Sequence, residues 1–381
     1  MQPLEGYRVL DLTHVLAGPC ATHHLRCLGA EVIKIERPET GDPIRELAVR
    51  PQMDGVPPAF RALNSGKKSV SVDLATPAGR AAMLGLAKDA DIFVENFRPG
   101  AARRLGLGPE DIRAVQPGII YCSISGWGQS GPNSTRGAYD HVIQAATGMM
   151  SLQSAPGTDA PVKVGFPVID IATGMSAAEA ILAAVIRRLR GDTSPITIDV
   201  SMVDSALALM SGPAAATLAT GKAPERIGNR GFVGSPGGET FATCDGHISV
   251  AANTMGQFAT LCRLLGRTEL AAPPHIPPGL AADAFLTNLA TEELRLELTV
   301  AFGAAKAEEL ETTLNAEGVP SARVRDLREY LSGVYPHTPG IGINGEPFAF
   351  GPAFRWENEE SITLPAAPRL GADTERLIAL R

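Results

Sequence analysis

The chain has 381 residues, of which 44% are hydrophobic and 20% charged. This is enough sequence to bury a substantial core, and the composition is not that of a disordered or fibrous protein. The formal net charge is −7, with lysines and arginines scattered among acidic residues, so we do not expect a nucleic-acid-binding protein. Five cysteines, an odd number, argue against a disulfide framework. We expect neither a signal peptide nor a membrane span, which favours a cytoplasmic location.

The first half of the chain alternates apolar strands with helices. Strands are predicted at 7–12, 31–36, 68–74, 91–97, 119–126 and 195–202. Helices are predicted at 18–29, 76–90 and 109–118, and a long helix begins at Ile169 and ends in a basic cluster before Gly191. This alternation is typical of an α/β protein with a parallel sheet covered on both faces, and ligands then bind at the carboxyl ends of the strands. The loops 13–19, 36–43 and 95–100 fall at that edge of the sheet.

The composition changes after the last of these strands. We predict a large α/β domain over residues 1–200, a linker over 201–225 and a smaller α+β domain over 226–325. The smaller domain opens with a hairpin that turns at Asp245–Gly246, a favoured turn dipeptide. The glycine-rich stretch Gly231–Gly238 precedes this hairpin and is either a plain linker or a mobile cover over the site.

The sequence contains partial patterns of a zinc site and of a dinucleotide-binding site, but neither pattern is complete. Cys20, His23, His24 and Cys27 cluster within eight residues, but Cys20 and Cys27 would lie ~10 Å apart along a helix, which is too far for one zinc ion. The first strand–helix turn carries only Gly18, so it lacks the glycine pattern of dinucleotide-binding proteins. We therefore expect neither a metal site nor a redox cofactor.

An anion site fits the same edge of the sheet. The helix that starts at Gly18–Pro19 could bind a phosphate group, and basic and polar side chains follow the second and fourth strands. These side chains are Arg37, Asn96, Phe97 and Arg104. The alternative is that the two arginines are solvated surface residues.

Asp170 is a single carboxylate in a stretch that is otherwise uncharged from Val164 to Ala178. One interpretation is an N-cap, because Asp is favoured there and a helix follows at once. The other is a nucleophile, because a carboxylate in an apolar pocket can attack an acyl carbon and form a mixed anhydride. The two roles are compatible.

Several long motifs together resemble the family III CoA-transferases, the CaiB/BaiF group that includes formyl-CoA transferase and the α-methylacyl-CoA racemases. The motifs include "VLDLTHVLAGPCATHHLRCLGAEVIKIERPETGDPIR", "NSGKKSVSVDL", "DIFVENFRPGAARRLGL", "YDHVIQAATGMM", "IDIATGMSAAEAILAAVIRR" and "CDGHISVAA". The resemblance implies a ring-shaped subunit in an interlocked homodimer. It implies that the large domain is a CoA-binding, Rossmann-like domain to which residues 326–381 return. It also implies acyl-CoA and carboxylic acid substrates, with no tightly bound cofactor.

The resemblance also implies roles for individual residues. Asp170 matches the family's nucleophile, which carries the acyl group through aspartyl-anhydride and aspartyl-CoA intermediates. Arg37, Asn96, Phe97 and Arg104 match contacts to the nucleotide end of CoA, while His14, Val15 and Ala17 match positions at the thioester end. Leu16 stands where formyl-CoA transferase has a glutamine, so formate and oxalate are not the expected acids.

The racemases of the same family supply an alternative function. They move a proton next to the thioester with a histidine and an aspartate, and that histidine directly precedes the Asp of the "YD" motif. Tyr139 takes this place here, and a tyrosine with a pKa of ~10 is a weak base at neutral pH. His141 would point about 200° away from Tyr139 on a helix that starts at Asp140. A CoA-transferase is therefore favoured, with Tyr139 orienting the substrate.

The family resemblance also bears on the class of the carboxylic acid substrates. Dicarboxylates such as succinate are common substrates in this family, and Arg45 or Arg61 is a candidate to pair with a distal carboxylate. A third hypothesis is a CoA-binding subunit without chemistry, against which the intact Asp170 argues.

Overall fold

The computed structural model describes residues 2–46, 56–153, 159–334, 353–354, 356–357 and 364–378. The strands are β1 Arg8–Leu12, β2 Glu31–Glu36, β3 Lys68–Ser71, β4 Ile92–Glu95, β5 Ile120–Ser125, β6 Ile196–Ser201, β7 Gly237–Thr243, β8 Gly246–Ala252 and β9 Ser321–Arg323. The helices are α1 Ala17–Cys27, α2 Pro58–Asn64, α3 Pro77–Ala87, α4 Ala101–Arg104, α5 Pro109–Val115, α6 Asp140–Ala146, α7 Val168–Leu189, α8 Met202–Leu209, α9 Ser211–Thr220, α10 Met255–Leu264, α11 Glu292–Gly303, α12 Ala307–Ala316, α13 Leu327–Glu329 and α14 Thr374–Ile378. Short 3₁₀ segments lie at Pro43–Glu46, Met149–Leu152 and Thr268–Ala271.

Strands β1 to β6 form one parallel sheet in the order β3-β2-β1-β4-β5-β6. All six strands were predicted from the sequence, and the α/β fold class is confirmed. The strand order reverses between β1 and β4. In doubly wound sheets of this order, the crevice outside the carboxyl ends of the two strands at the reversal is the usual ligand site. The strand order therefore predicts a ligand site at the loops that follow Leu12 and Glu95.

Alternation along each strand gives the sheet two buried faces. Val9 and Val32 point toward the face covered by α1 and α7, whereas Leu10 and Ile33 point toward the face covered by α3 and α5. This is the period of two expected of a strand buried on both sides. Helix α3 begins as predicted, because Thr76 Oγ1 accepts a hydrogen bond from the backbone N–H of Gly79.

The chain divides into two compact units. The larger contains the described residues 2–151, 159–224 and those from 353 onward, and the smaller contains 152–153 and 225–334. The segment 201–225, predicted as a linker with one helix at 204–210, contains two helices. Helix α8 packs on α6, α7 and β6, and α9 follows it. The runs 202–209 and 211–220 are rich in alanine and leucine, which favour helix, and this explains the difference.

The smaller unit is built on the antiparallel sheet β7-β8-β9. Its core contains Phe241, Phe258 and Phe302, together with leucines from α10, α11 and α12. The hairpin turns at Cys244–Asp245, one residue earlier than predicted, because Thr243 pairs with Gly246. Gly237 and Gly238 of the glycine-rich stretch already belong to β7, so only its first part is a loop.

Helix α7 is long and apolar enough to cross a membrane, by length and composition alone. In this structure its inner face, with Ala177, Ile181 and Val185, lies in the core against the parallel sheet. The buried alanines on this face let it approach α1 closely.

The closest point of that approach is Gly174. A Cβ atom placed there would lie 2.7 Å from the carbonyl oxygen of Ala17 and 2.9 Å from Cys20 Sγ. No real side chain tolerates those distances without a shift of the two helices. Glycine at this position therefore sets the spacing between α1 and α7.

We expect Gly174→Ala to destabilise the larger unit by ~1–3 kcal/mol, because the new methyl group overpacks this contact. Gly85→Ala is the matched control. Gly85 also lies inside a helix, and a Cβ there would meet nothing within 4 Å, so this change should be neutral or stabilising by ~0.5–1 kcal/mol. The melting temperature of each variant checks the prediction, and equal effects of the two changes would contradict it.

Candidate active site

A cavity of about 320 Å³ opens at the carboxyl edge of the parallel sheet, where the strand order reverses. Most of the residues predicted for the site line it together. They are His14, Val15, Ala17, Asn96, Phe97, Tyr139 and Asp170. Asp170 is the one carboxylate among its lining residues. The sequence motifs thus converge on one space although they lie far apart along the chain.

The loop from Thr13 to Leu16 forms one wall and is held by its backbone. The Asn96 side chain binds both backbone groups of His14. Its Oδ1 accepts a hydrogen bond from the His14 N–H at 3.0 Å, and its Nδ2 donates one to the His14 carbonyl at 2.9 Å. Asn96 was predicted as a CoA contact, and in this structure its amide positions the loop. Gly18 lets the chain turn back here, because a Cβ at Gly18 would overlap the Thr13 side chain.

Two fully buried lysines lie beneath this loop. Lys67 Nζ pairs with Asp11 at 2.9 Å, and Lys34 Nζ pairs with Asp42 at 2.9 Å. Burial opposes the charge of Asp11, but the neighbouring ammonium groups hold the pKa of Asp11 at about 2. Burial outweighs the attraction of Asp11 for Lys67 and lowers the pKa of that lysine to about 8.

Asp170 lies in the first turn of α7, but it is not the N-cap. The helix begins at Val168 with Pro167 as its N-cap, so Asp170 is the third helical residue. The carboxylate of Asp140 provides the cap from 30 residues away. Its Oδ2 accepts hydrogen bonds from the backbone N–H groups of Ile169 at 2.7 Å and Asp170 at 3.1 Å. Sequence analysis missed this role, because a cap from a distant helix leaves no local signature.

The environment of Asp170 disfavours its charge. Burial, followed by repulsion from the Asp140 carboxylate, raises the pKa of Asp170 to about 7. Its position at the start of a helix favours the charged form by only ~0.3–1 kcal/mol, so the helix offsets just part of this effect. Near neutral pH, Asp170 therefore exists in both protonation states.

A second cavity of about 550 Å³ adjoins the first, and both include His14 and Phe97 in their linings. The two rings have centroids 6.0 Å apart. Arg37 lines the second cavity, exposed and without an ion pair in the part of the chain that the structure describes. Arg104 is exposed at the end of α4 and lines neither cavity. All the residues predicted to contact ligands, except Arg104, therefore line one or both of two adjoining cavities.

Comparison with known proteins decides the family. The profile of CoA-transferase family III matches residues 4–374. The chain is 34% identical over 388 residues to the succinyl-CoA:glutarate CoA-transferase of Mus musculus, covering 99% of this chain and 86% of the relative. It is 33% identical over 355 residues to the succinate–glutarate CoA-transferase of Agrobacterium fabrum, covering 90% and 85%. A CaiB/BaiF family protein from Brucella suis has 31% identity and a TM-score of 0.86, with 100% and 99% of the chains covered.

The chain belongs to CoA-transferase family III. It is therefore a CoA-transferase, an enzyme of a family whose substrates are CoA thioesters. The predicted resemblance is confirmed over nearly the whole chain. Among the described residues, no group of three or more His, Cys, Asp or Glu side chains is placed to hold a metal ion.

In this CoA-transferase, the prediction that His141 points about 200° away from Tyr139 is wrong. Tyr139 is the N-cap of α6 and has an extended backbone, so the rotation per helical residue does not apply to it. The two rings stack instead, with centroids 6.4 Å apart. Tyr139 is 69% exposed and lines the cavity, whereas His141 is exposed and lies outside its lining.

The two arginines suggested for a distal carboxylate have other partners. Arg45 forms a bidentate pair with Glu36 at 2.7 and 2.8 Å, and its guanidinium stacks over Phe60. Arg61 is buried and donates to the Val56 carbonyl. The cations that do line the Asp170 cavity are Arg98 and Arg136, which sequence analysis did not single out.

We expect the raised pKa of Asp170 to appear in the pH dependence of stability. Between pH 3.8, the ordinary value, and about 7, the unfolded chain has lost the Asp170 proton while the folded protein retains it. The folded state therefore loses stability as the pH rises through this interval. Asp170→Asn does not titrate, so the melting temperature of the wild type minus that of this variant should fall from pH 4.5 to pH 7.5.

Asp192→Asn is the control for this measurement, since Asp192 lies just beyond the other end of α7. Hydrogen bonds from Ser194 hold the pKa of Asp192 below its ordinary value, so the corresponding difference should stay flat over the same pH interval. A flat difference for Asp170→Asn would show that Asp170 titrates at its ordinary value, and a rising one would show that its pKa is lowered; either result would contradict the prediction.

Proposed function

We propose that the enzyme transfers CoA between an acyl-CoA thioester and a dicarboxylic acid through covalent intermediates on Asp170. The observation that carries this proposal is the position of the Asp170 carboxylate, the sole acid among the described residues that line the cavity beside the Thr13–Leu16 loop. The relatives named for succinyl-CoA and glutarate support the dicarboxylate class.

The chemistry requires an ionised carboxylate near a thioester carbonyl. An oxygen of Asp170 attacks the acyl carbon, a C–O bond forms and the C–S bond breaks, which gives a mixed anhydride and CoA thiolate. The thiolate then attacks the Asp170 carbonyl, releasing the first acid and leaving an aspartyl-CoA thioester. The carboxylate of the second acid attacks that thioester, which forms a new anhydride and releases CoA thiolate. The thiolate then attacks the acyl carbon of the second acid, so that a C–S bond forms, a C–O bond breaks, and the product thioester leaves with the Asp170 carboxylate restored.

The surroundings of Asp170 suit these steps. Asp140 fixes the start of α7 through two backbone hydrogen bonds, so the attacking carboxylate is carried on a rigid element. A pKa near 7 leaves a large ionised fraction at neutral pH and makes that fraction more basic than an ordinary aspartate. The exposed Tyr139 ring borders the same cavity and is placed to orient the substrate.

The decisive experiment is intact-mass analysis during turnover with succinyl-CoA and glutarate. The wild type should carry an acyl or CoA adduct that hydroxylamine removes, and Asp170→Asn should lose both the adduct and ~10³-fold or more of its turnover. Asp283→Asn, a change of an exposed aspartate in the smaller unit, should keep both. An Asp170→Asn protein with full turnover would refute the mechanism, while solvent deuterium entering beside the thioester would support a racemase instead.

Arg98 and Arg136 extend the proposal to the acid. Neither forms an ion pair with a carboxylate among the described residues, although both line the cavity. Arg136 stacks on the Trp127 ring, 4.4 Å from its centroid, and Arg98 lies near Gly137. We infer that these two guanidinium groups bind the distal carboxylate of the dicarboxylic acid, the one that takes no part in the reaction.

Replacing either arginine should therefore discriminate between acids. Arg98→Gln or Arg136→Gln should raise KM for glutarate ~10–100-fold, since a hydrogen bond to a charged group contributes ~1.5–3 kcal/mol, and should leave KM for butyrate unchanged. Arg103→Gln, on α4 outside the lining, is the control. A rise confined to KM for succinyl-CoA would assign the two arginines to the CoA phosphates and overturn this inference.

The oligomeric state is part of the proposal as well. The outer faces of α7, α8 and α9 carry apolar side chains such as Met175, Leu189, Leu209 and Leu218, all more than half exposed. Large apolar side chains exposed on three successive helices support a homodimer. The interlocked arrangement and the cytoplasmic location stay predictions.

A further inference from the structure

Val15 adopts a backbone conformation that L-amino acids rarely use. Its φ angle is +68°, and three non-glycine residues of the described chain have a positive φ, namely Val15, Glu39 and Asn288. Val15 is the β-branched member of the three, and β-branched residues are the least tolerant of this region. It lies in the wall of the cavity that contains Asp170.

Asp42 provides the contact that holds Val15 in this conformation. Its carboxylate accepts a hydrogen bond from the Val15 N–H, at 3.0 Å to Oδ1 and 3.3 Å to Oδ2, and a second from the Ile44 N–H at 3.1 Å. The carboxylate is almost completely buried. A strained conformation persists only where its surroundings impose it.

Lys34 links Asp42 to Thr13, the first residue of the same loop. Its ammonium pairs with Asp42 at 2.9 Å and donates to the Thr13 carbonyl at 2.7 Å, and its side chain is completely buried. The Asn96 amide meanwhile fixes both backbone groups of His14. Side chains from outside the loop therefore hold Thr13 and His14, which precede Val15, and Asp42 holds Val15 itself.

We propose that Asp42 is a positioning residue for the transfer reaction, which holds Val15 in the left-handed conformation and so fixes His14 and Val15 in the wall that faces Asp170. This rests on the proposed use of the Asp170 cavity. Without Asp42, the loop would relax to an ordinary φ, and both side chains would move relative to the reacting carboxylate.

The test uses the different tolerance of glycine and alanine for a positive φ. Val15→Gly and Val15→Ala both remove the side-chain methyl groups, but only glycine adopts this conformation without strain. Each is combined with Asp42→Ala, which removes the acceptor of the Val15 N–H. We expect Asp42→Ala to lower kcat at saturating succinyl-CoA at least ~10-fold in the wild-type and Val15→Ala backgrounds, and less than ~3-fold in the Val15→Gly background.

A merely structural role of Asp42 would lower the melting temperature in all three backgrounds without this difference in kcat. Equal loss of kcat in the glycine and alanine backgrounds would overturn the proposal. Asp42 also borders the second cavity, so changes in KM for succinyl-CoA are scored separately from kcat.

If the Asp42 variants do not fold, the single changes at Val15 still decide the question of strain. Val15→Gly should then melt at a higher temperature than Val15→Ala, the reverse of the usual order, and the usual order would refute the strain. These outcomes are independent of the Asp170 adduct. A missing adduct with intact glycine rescue would reject the covalent mechanism and leave the positioning role in place.

Discussion

The spacing between helices α1 and α7 is the constraint on which the site depends. At Gly174 the two backbones approach so closely that a methyl group would meet the Ala17 carbonyl. Helix α1 follows directly from the 13–16 loop, and α7 carries Asp170 in its first turn. The contact therefore fixes the distance between the loop wall and the carboxylate. A shift of one helix would be transmitted to both sides of the cavity, because well-packed interiors yield little to strain.

The polar groups under the loop show how a tight turn is kept in place at the edge of a buried sheet. Taking two lysines out of water is costly, and a buried ion pair often contributes little net stability. Here each charge also binds backbone: Asp11 accepts from the Thr13 N–H, Lys34 donates to the Thr13 carbonyl, and Lys67 donates to the Pro19 carbonyl. Asp11 and Lys34 thus bind the backbone of Thr13, where the chain leaves β1, and Lys67 binds a carbonyl in the first turn of α1.

The sequence was sufficient for the features that local pattern determines. The six parallel strands and the cap at Thr76 follow from alternation and from known helix-start signals. Asp170 was identified by its isolation in an apolar run together with the family resemblance. What failed depended on distant or competing contacts: the cap of α7 comes from Asp140, and Arg45 is held by Glu36. No spacing rule relates residues 30 apart, and none tells a free arginine from a paired one.

The electrostatics of the cavity also bear on the order of events. Asp140 accepts two backbone hydrogen bonds at the start of α7, but its charge adds to the effect of burial in raising the pKa of Asp170. An anion bound in the cavity would add further negative charge and disfavour the ionised form of Asp170. Binding of an anion and ionisation of Asp170 are therefore coupled. Arg98 and Arg136 line the same cavity, and pairing of their guanidinium groups with the anion would cancel part of its charge, so that its repulsion of the Asp170 carboxylate would be smaller.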